Sequence, residues 1–119
     1  MLALVAACSP GRDGADTRDA GPPPTTPVEH VAGERLFDAN CRSCHGAYAR
    51  GTTVGPPLVH VVYEPGHHAD AAFYVAAERG VVQHHWRFGN MPPQPQVGRA
   101  EMGRIIAYVR WLQREAGIE

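Results

Sequence analysis

The chain has 119 residues, of which 44% are hydrophobic and 19% charged, with a formal net charge of -1 at pH 7. That length holds one small domain plus additional sequence. The 3 cysteines are too few for a four-thiolate metal site, every basic residue is Arg, and there is no basic run to bind nucleic acid and no acidic tail, so charge does not identify a partner.

Met1 to Ala7 is apolar and runs into Leu4-Val5-Ala6-Ala7-Cys8, which resembles a bacterial lipobox. In such signals small residues before the cysteine admit the signal peptidase, and the cysteine is lipidated. The apolar core is short and no Arg or Lys precedes it, so residues 1–8 read as the end of a signal that begins upstream. Residues 9–29 are rich in Pro, Gly, Asp and Thr, with Pro22-Pro23-Pro24 near the end. Such a segment cannot bury enough apolar surface to offset its ordering entropy, and it reads as a disordered tether with a reach of roughly 25 Å. Residues 30–119 are then the folded domain.

A helix is expected from about Glu29 or Val31 to about Cys41. Ala32, Leu36, Phe37 and Asn40 fall on neighbouring turns, and Gly33 lies one turn before Phe37. The next five residues are Cys41-Arg42-Ser43-Cys44-His45. Two thiols one helical turn apart can each add to a vinyl group of one haem, and the adjacent imidazole is then placed as an iron ligand. A Cys2His2 zinc site and a thioredoxin-like pair use similar spacings, but the latter needs a strand–helix–strand context that is not found here. If Cys41 and Cys44 hold haem, Cys8 has no disulfide partner in the chain, and a lipid accounts for it.

Gly46 to Pro57 contains several turn formers and is expected to be irregular. A shorter helix is expected from Asp70, as its N-cap, to near Gly80, with Phe73 and Ala77 facing inward. His84-His85-Trp86-Arg87-Phe88 leads to Gly89-Asn90-Met91-Pro92-Pro93. Met91 is a candidate distal iron ligand. Its thioether is soft and neutral, and the prolines favour an extended loop that holds it in place. Met102 competes less well, because with Ile105, Ile106, Val109 and Leu112 it makes the apolar stripe of a helix from Arg99 to about Ala116. Arg104, Arg110, Gln113 and Arg114 are expected mostly outside that stripe. Tyr108 and Trp111 flank it as core aromatics.

From about Val31 onward the chain resembles a class I monohaem c-type cytochrome. The landmarks are Gly33 and Phe37, then Cys41, Cys44, His45 and Gly46, then Gly55-Pro56-Pro57-Leu58, Met91-Pro92 and Tyr108. The resemblance implies an all-α fold, three main helices wrapped around one covalent haem c, with Gly33 at a close helix crossing. It gives the Pro56 carbonyl the proton of the second His45 nitrogen, and it places Leu58 against the haem. Trp86 and Arg87 lead as partners for the haem propionates, ahead of Tyr48, Arg50 and Tyr63. Two departures stand out: there is no lysine, and histidines recur at His60, His67, His68, His84 and His85.

The function these features imply is electron transfer by a six-coordinate His45/Met91 haem, with no substrate at iron and no enzymatic turnover. Two alternatives remain open: catalysis or sensing at a five-coordinate haem, and a haem protein with an added His-rich copper or zinc site. Haem attachment of this kind takes place outside the cytoplasm. The expectation is therefore a monomer on the periplasmic face of a bacterial membrane, lipid-anchored at Cys8 or soluble, serving redox partner proteins in or at that membrane.

Overall fold

One helix crossing sets the architecture. The structure, a computed structural model, describes residues 21–23 and 25–119; the expected signal over 1–8, Cys8 and much of the tether lie outside the described residues. Helix α1, Val31–Asn40, is entered through a 3-10 turn at Val28–His30. It crosses the C-terminal helix over Gly33, where a Cβ would sit 2.2 Å from the carbonyl oxygen of Arg104. A glycine is costly within a helix, by about 1 kcal/mol relative to alanine. Here it lets two backbones touch, and a turn later the Phe37 and Tyr108 rings meet with centroids 5.7 Å apart.

A one-turn helix α2, Arg42–His45, follows α1 after a break at Cys41, where φ is -123°. Helix α3 is Asp70–Arg79 and helix α4 is Arg99–Glu115. The three main helices and their limits follow the sequence periodicity. Among the described residues the sole strand-like feature is an antiparallel bridge between Val81 and Met91. The core is the stripe of α4 (Met102, Ile105, Ile106, Val109 and Leu112) closed by Phe37 from α1 and by Phe73 and Ala77 from α3. Fully burying each large side chain contributes about 1.5–3 kcal/mol.

Two expectations on α3 and α4 are corrected. Arg110 and Gln113, expected mostly outside the stripe, are buried, at 7% and 1% exposure. The loop over residues 58–69 folds across their side of α4, and the carbonyls of Leu58, Tyr63 and His68 take side-chain donors from it. Arg110 donates to the carbonyls of Tyr63 and His68 and to the side chain of Gln113. Gln113 donates to the carbonyls of Leu58 and Tyr63, each at 2.9 Å. Buried carbonyls need donors, and a guanidinium supplies five in a fixed fork. Asp70 is not the N-cap: Ala69 holds that place without a side-chain bond. The Asp70 carboxylate instead accepts from Arg110 Nε at 2.9 Å, an ion pair that wins over local capping because Arg110 is already fixed among the loop carbonyls.

Candidate functional site

The end of α1 and the single turn of α2 present the thiols and the imidazole. His45 N–H donates to the carbonyl of Cys41 at 2.9 Å and Cys44 N–H to the same oxygen at 3.3 Å, so the two cysteines occupy one helical turn. Cys41 is half-buried and Cys44 exposed. Burial, with repulsion from Cys44 second, pushes the Cys41 thiol up to about 11. Thr52 closes the turn by donating its hydroxyl to the Cys44 carbonyl at 2.6 Å.

His45 is buried, and its Nδ1 lies 2.9 Å from the carbonyl oxygen of Pro56. A carbonyl can only accept, so Nδ1 carries the proton and Nε2 keeps its lone pair. Desolvation lowers the His45 pKa, against the raising effect of the Pro56 bond. The ring is thereby held neutral, the form that binds metals.

His45 lines a cavity of about 670 Å³ together with Cys41, Pro56, Leu58, Trp86 and Met91. That volume falls within the range of roughly 300–1,000 Å³ typical of cofactor pockets. Phe37, Phe73, Val81, Phe88, Ile105 and Val109 add an apolar wall. A neutral imidazole with a free nitrogen, thioethers and a large apolar space suit a haem: the porphyrin fills the space and the soft neutral donors suit its iron.

The segment carrying Met91 is tied down at both ends. Val81 and Met91 exchange two backbone bonds of 2.9 Å. Gly80 ends α3 at φ +77°, where a Cβ would meet the Met91 carbonyl at 2.5 Å, so glycine answers both the dihedral and the contact. Between them Asn90 Oδ1 accepts from Gln83 N–H at 3.0 Å and Gln83 Oε1 from Gly89 N–H at 2.9 Å. Met91 is half-buried. Met102 also reaches the cavity, from within the α4 stripe.

The remaining residues singled out in the sequence divide. Leu58 and Trp86 line the cavity, whereas Cys44 and Arg87 do not; Arg87 is exposed to solvent. The Trp86 indole donates to the Tyr63 hydroxyl at 3.0 Å, so its donor is used within the protein. Burial, opposed by that bond, raises the Tyr63 pKa. Tyr48 and Arg50 stand away from the cavity wall, with the Arg50 guanidinium 5.5 Å from the Tyr48 ring.

The structure brings the two histidine pairs together. Ligand nitrogens of His67, His68 and His85 all lie within 4.8 Å of one another, and the rings of His84 and His85 are 4.5 Å apart. The His85 pKa is lowered by desolvation and then by His84, His68 and His67. His60 stands apart, edge-on to Trp86 at 5.0 Å. Sequence reasoning missed the clamp made by Arg110 and Gln113, which holds the loop carrying Leu58, Tyr63 and His68. A signal was available for Arg110: it is the lone charged residue within Tyr108-Val109-Arg110-Trp111-Leu112.

Against known proteins, the family model described as cytochrome c matches residues 30–113. The chain is similar to the Cbb3-type cytochrome c oxidase subunit CcoP of Rhodobacter capsulatus, with 28% identity over 92 residues, covering 75% of this chain and 31% of that protein. It therefore spans about a third of the length of that relative. No solved structure matches the chain.

Proposed function

The chain belongs to the cytochrome c family, with covalent haem c as its cofactor and an all-α cytochrome c fold, and on that premise we propose an electron carrier in which Cys41 and Cys44 would hold the haem through thioether bonds and His45 and Met91 would bind its iron. When bound, the haem supplies a one-electron ferric/ferrous couple. The observation that carries the ligand assignment is the shared cavity. Cys41, His45 and Met91 all line it, with His45 Nδ1 committed to Pro56 and Nε2 left as donor.

The protein's part is to hold these groups and exclude water. The Pro56 carbonyl orients the His45 ring and increases its donor strength. The paired backbone bonds at Val81 and the Gln83–Asn90 contact limit movement of the Met91 sulfur. A neutral thioether favours the reduced state and a higher potential. Met91 is preferred to Met102 because Met102 is engaged as packing in the α4 stripe. Val75 and Val82 line the cavity yet are 47% and 75% exposed. In a chain without lysine this apolar rim suits docking by contact rather than by a ring of positive charge.

The similarity to an oxidase subunit supports a redox partner in a membrane complex. Among the described residues no helix is long and apolar enough to cross a membrane. Attachment through a lipid on Cys8, with residues 9–29 as tether on the periplasmic side, would bring the domain to such a partner.

Spectroscopy of variants tests the ligands. Acid–acetone extraction should leave the colour on the protein. Met91→Ala should abolish the far-red sulfur-to-iron band of the ferric form and open the iron to cyanide. Loss of that band in Met102→Ala but not in Met91→Ala would overturn the assignment.

A further inference from the structure

We propose that His67, His68 and His85, with His84 beside them, form a second metal site for one divalent borderline ion, zinc(II) or copper(II), separate from the iron ligands. The proposal rests on three observations. First, one nitrogen from each of His67, His68 and His85 lies within 4.8 Å of the other two. Around a tetrahedral ion with metal–nitrogen bonds of about 2.0–2.1 Å, ligand nitrogens stand about 3.3 Å apart. Closing such a gap takes side-chain rotation and no change of fold, and two of the three rings are exposed and able to turn.

Second, the tautomers suit metal binding. His68 Nδ1 lies 2.6 Å from the carbonyl of Val62 and His84 Nδ1 2.9 Å from that of Val82. Each carbonyl can only accept, so each ring carries its proton on Nδ1 and offers Nε2 as a lone pair. A backbone carbonyl holding the far nitrogen is the usual outer support of a metal-binding histidine.

Third, the segments that carry the rings are held. His67 and His68 both donate backbone N–H to the Glu64 carbonyl, at 3.0 and 2.8 Å, and the His68 carbonyl is taken by buried Arg110. His84 and His85 lie on the segment closed by the Gln83 contacts to Gly89 and Asn90. The rings therefore meet because two anchored segments meet. Imidazole donors without thiolate or carboxylate select borderline ions such as zinc(II) and copper(II) over calcium or magnesium.

Haem-loaded protein titrated with zinc chloride, and separately with cupric chloride, against a competing chelator tests this. One equivalent should bind, copper more tightly than zinc. His67→Ala and His85→Ala should each weaken binding by about tenfold or more, with far-UV circular dichroism unchanged in both and the Soret spectrum unchanged in His67→Ala, which is not part of the cavity wall that His85 lines. The His60→Ala protein, altered outside the cluster, should bind as the parent does. The copper-loaded protein should show imidazole nitrogen couplings by electron paramagnetic resonance. Absence of stoichiometric binding of either ion, or equal weakening in His60→Ala, would overturn the site while leaving the His45/Met91 reading intact. Absence of the far-red ferric band in the parent, with conversion to a high-spin ferric spectrum in His85→Ala, would place an imidazole on the iron and overturn both.

Discussion

Replacing Arg110 by Met should destabilise the haem-loaded protein far more than any exposed arginine can. The side chain is 7% exposed and spans Tyr63, His68, Asp70 and Gln113. Met keeps much of the stem packing but supplies no donor. The Tyr63 carbonyl retains the Gln113 amide at 2.9 Å, and the Asp70 carboxylate, 61% exposed, can return to water. The His68 carbonyl and Gln113 Oε1 lose their Arg110 donors, and each such loss costs about 1–3 kcal/mol. The contact of the guanidinium with the Phe73 ring, at 4.7 Å, adds about 0.5–2 kcal/mol. A total of about 2.5–8 kcal/mol, at about 4–8 °C per kcal/mol for a domain of this size, lowers Tm by at least roughly 10 °C. Arg99→Met is the comparison. Its ion pair with Glu78 is 71% and 52% exposed and its guanidinium lies 4.4 Å from the Tyr74 ring, and losing both costs about 0.5–2 kcal/mol. Thermal unfolding followed by circular dichroism would measure both. If Arg110→Met falls no further than Arg99→Met, the clamp does not hold the loop and the burial argument is wrong. Arg110→Lys should fall in between, because one ammonium cannot span all these acceptors.

The helix crossing gives a second test: Gly33→Ala must push α1 off the Arg104 carbonyl and should cost about 1–3 kcal/mol or more, whereas Gly66→Ala, with nothing within 4 Å, should leave Tm nearly unchanged. Protein without haem, from Cys41→Ser/Cys44→Ser, should lose most of its helical signal. Without haem the apolar side chains around the cavity of about 670 Å³ face water or collapse, each losing part of about 1.5–3 kcal/mol of burial, a sum comparable with the ~5–15 kcal/mol available to a domain; native-like far-UV dichroism in that variant would contradict this. Cys8→Ser, expressed with its natural upstream sequence, should move the haem protein from the membrane fraction to the soluble periplasmic fraction. An unmodified Cys8 by mass spectrometry in the parent would dispose of the lipid anchor.

Local patterns in the chain determined a good deal. The Cys-x-x-Cys-His spacing places both thiols and the imidazole on one turn, because i, i+3 neighbours in a helix are brought together by backbone geometry alone. The period of Met102, Ile105, Ile106, Val109 and Leu112 marked the inner face of α4, whereas the close crossing at Gly33 was implied by the resemblance to c-type cytochromes rather than by any local pattern. Only the tertiary structure decided what depends on the path of the loops. Arg110 and Gln113 lie beside the stripe by periodicity, and they are buried because residues 58–69 fold over them and bring carbonyls that need donors. Asp70 exchanged a capping role for an ion pair with Arg110, a partner on another helix. Trp86 and Arg87 are adjacent in sequence, yet one lines the cavity and the other faces solvent. The histidine pairs at 67–68 and 84–85 are separated by the whole of α3, and no local rule joins them. They meet because Arg110 and Glu64 fix one segment and Gln83 closes the other, contacts that exist only after the chain has folded.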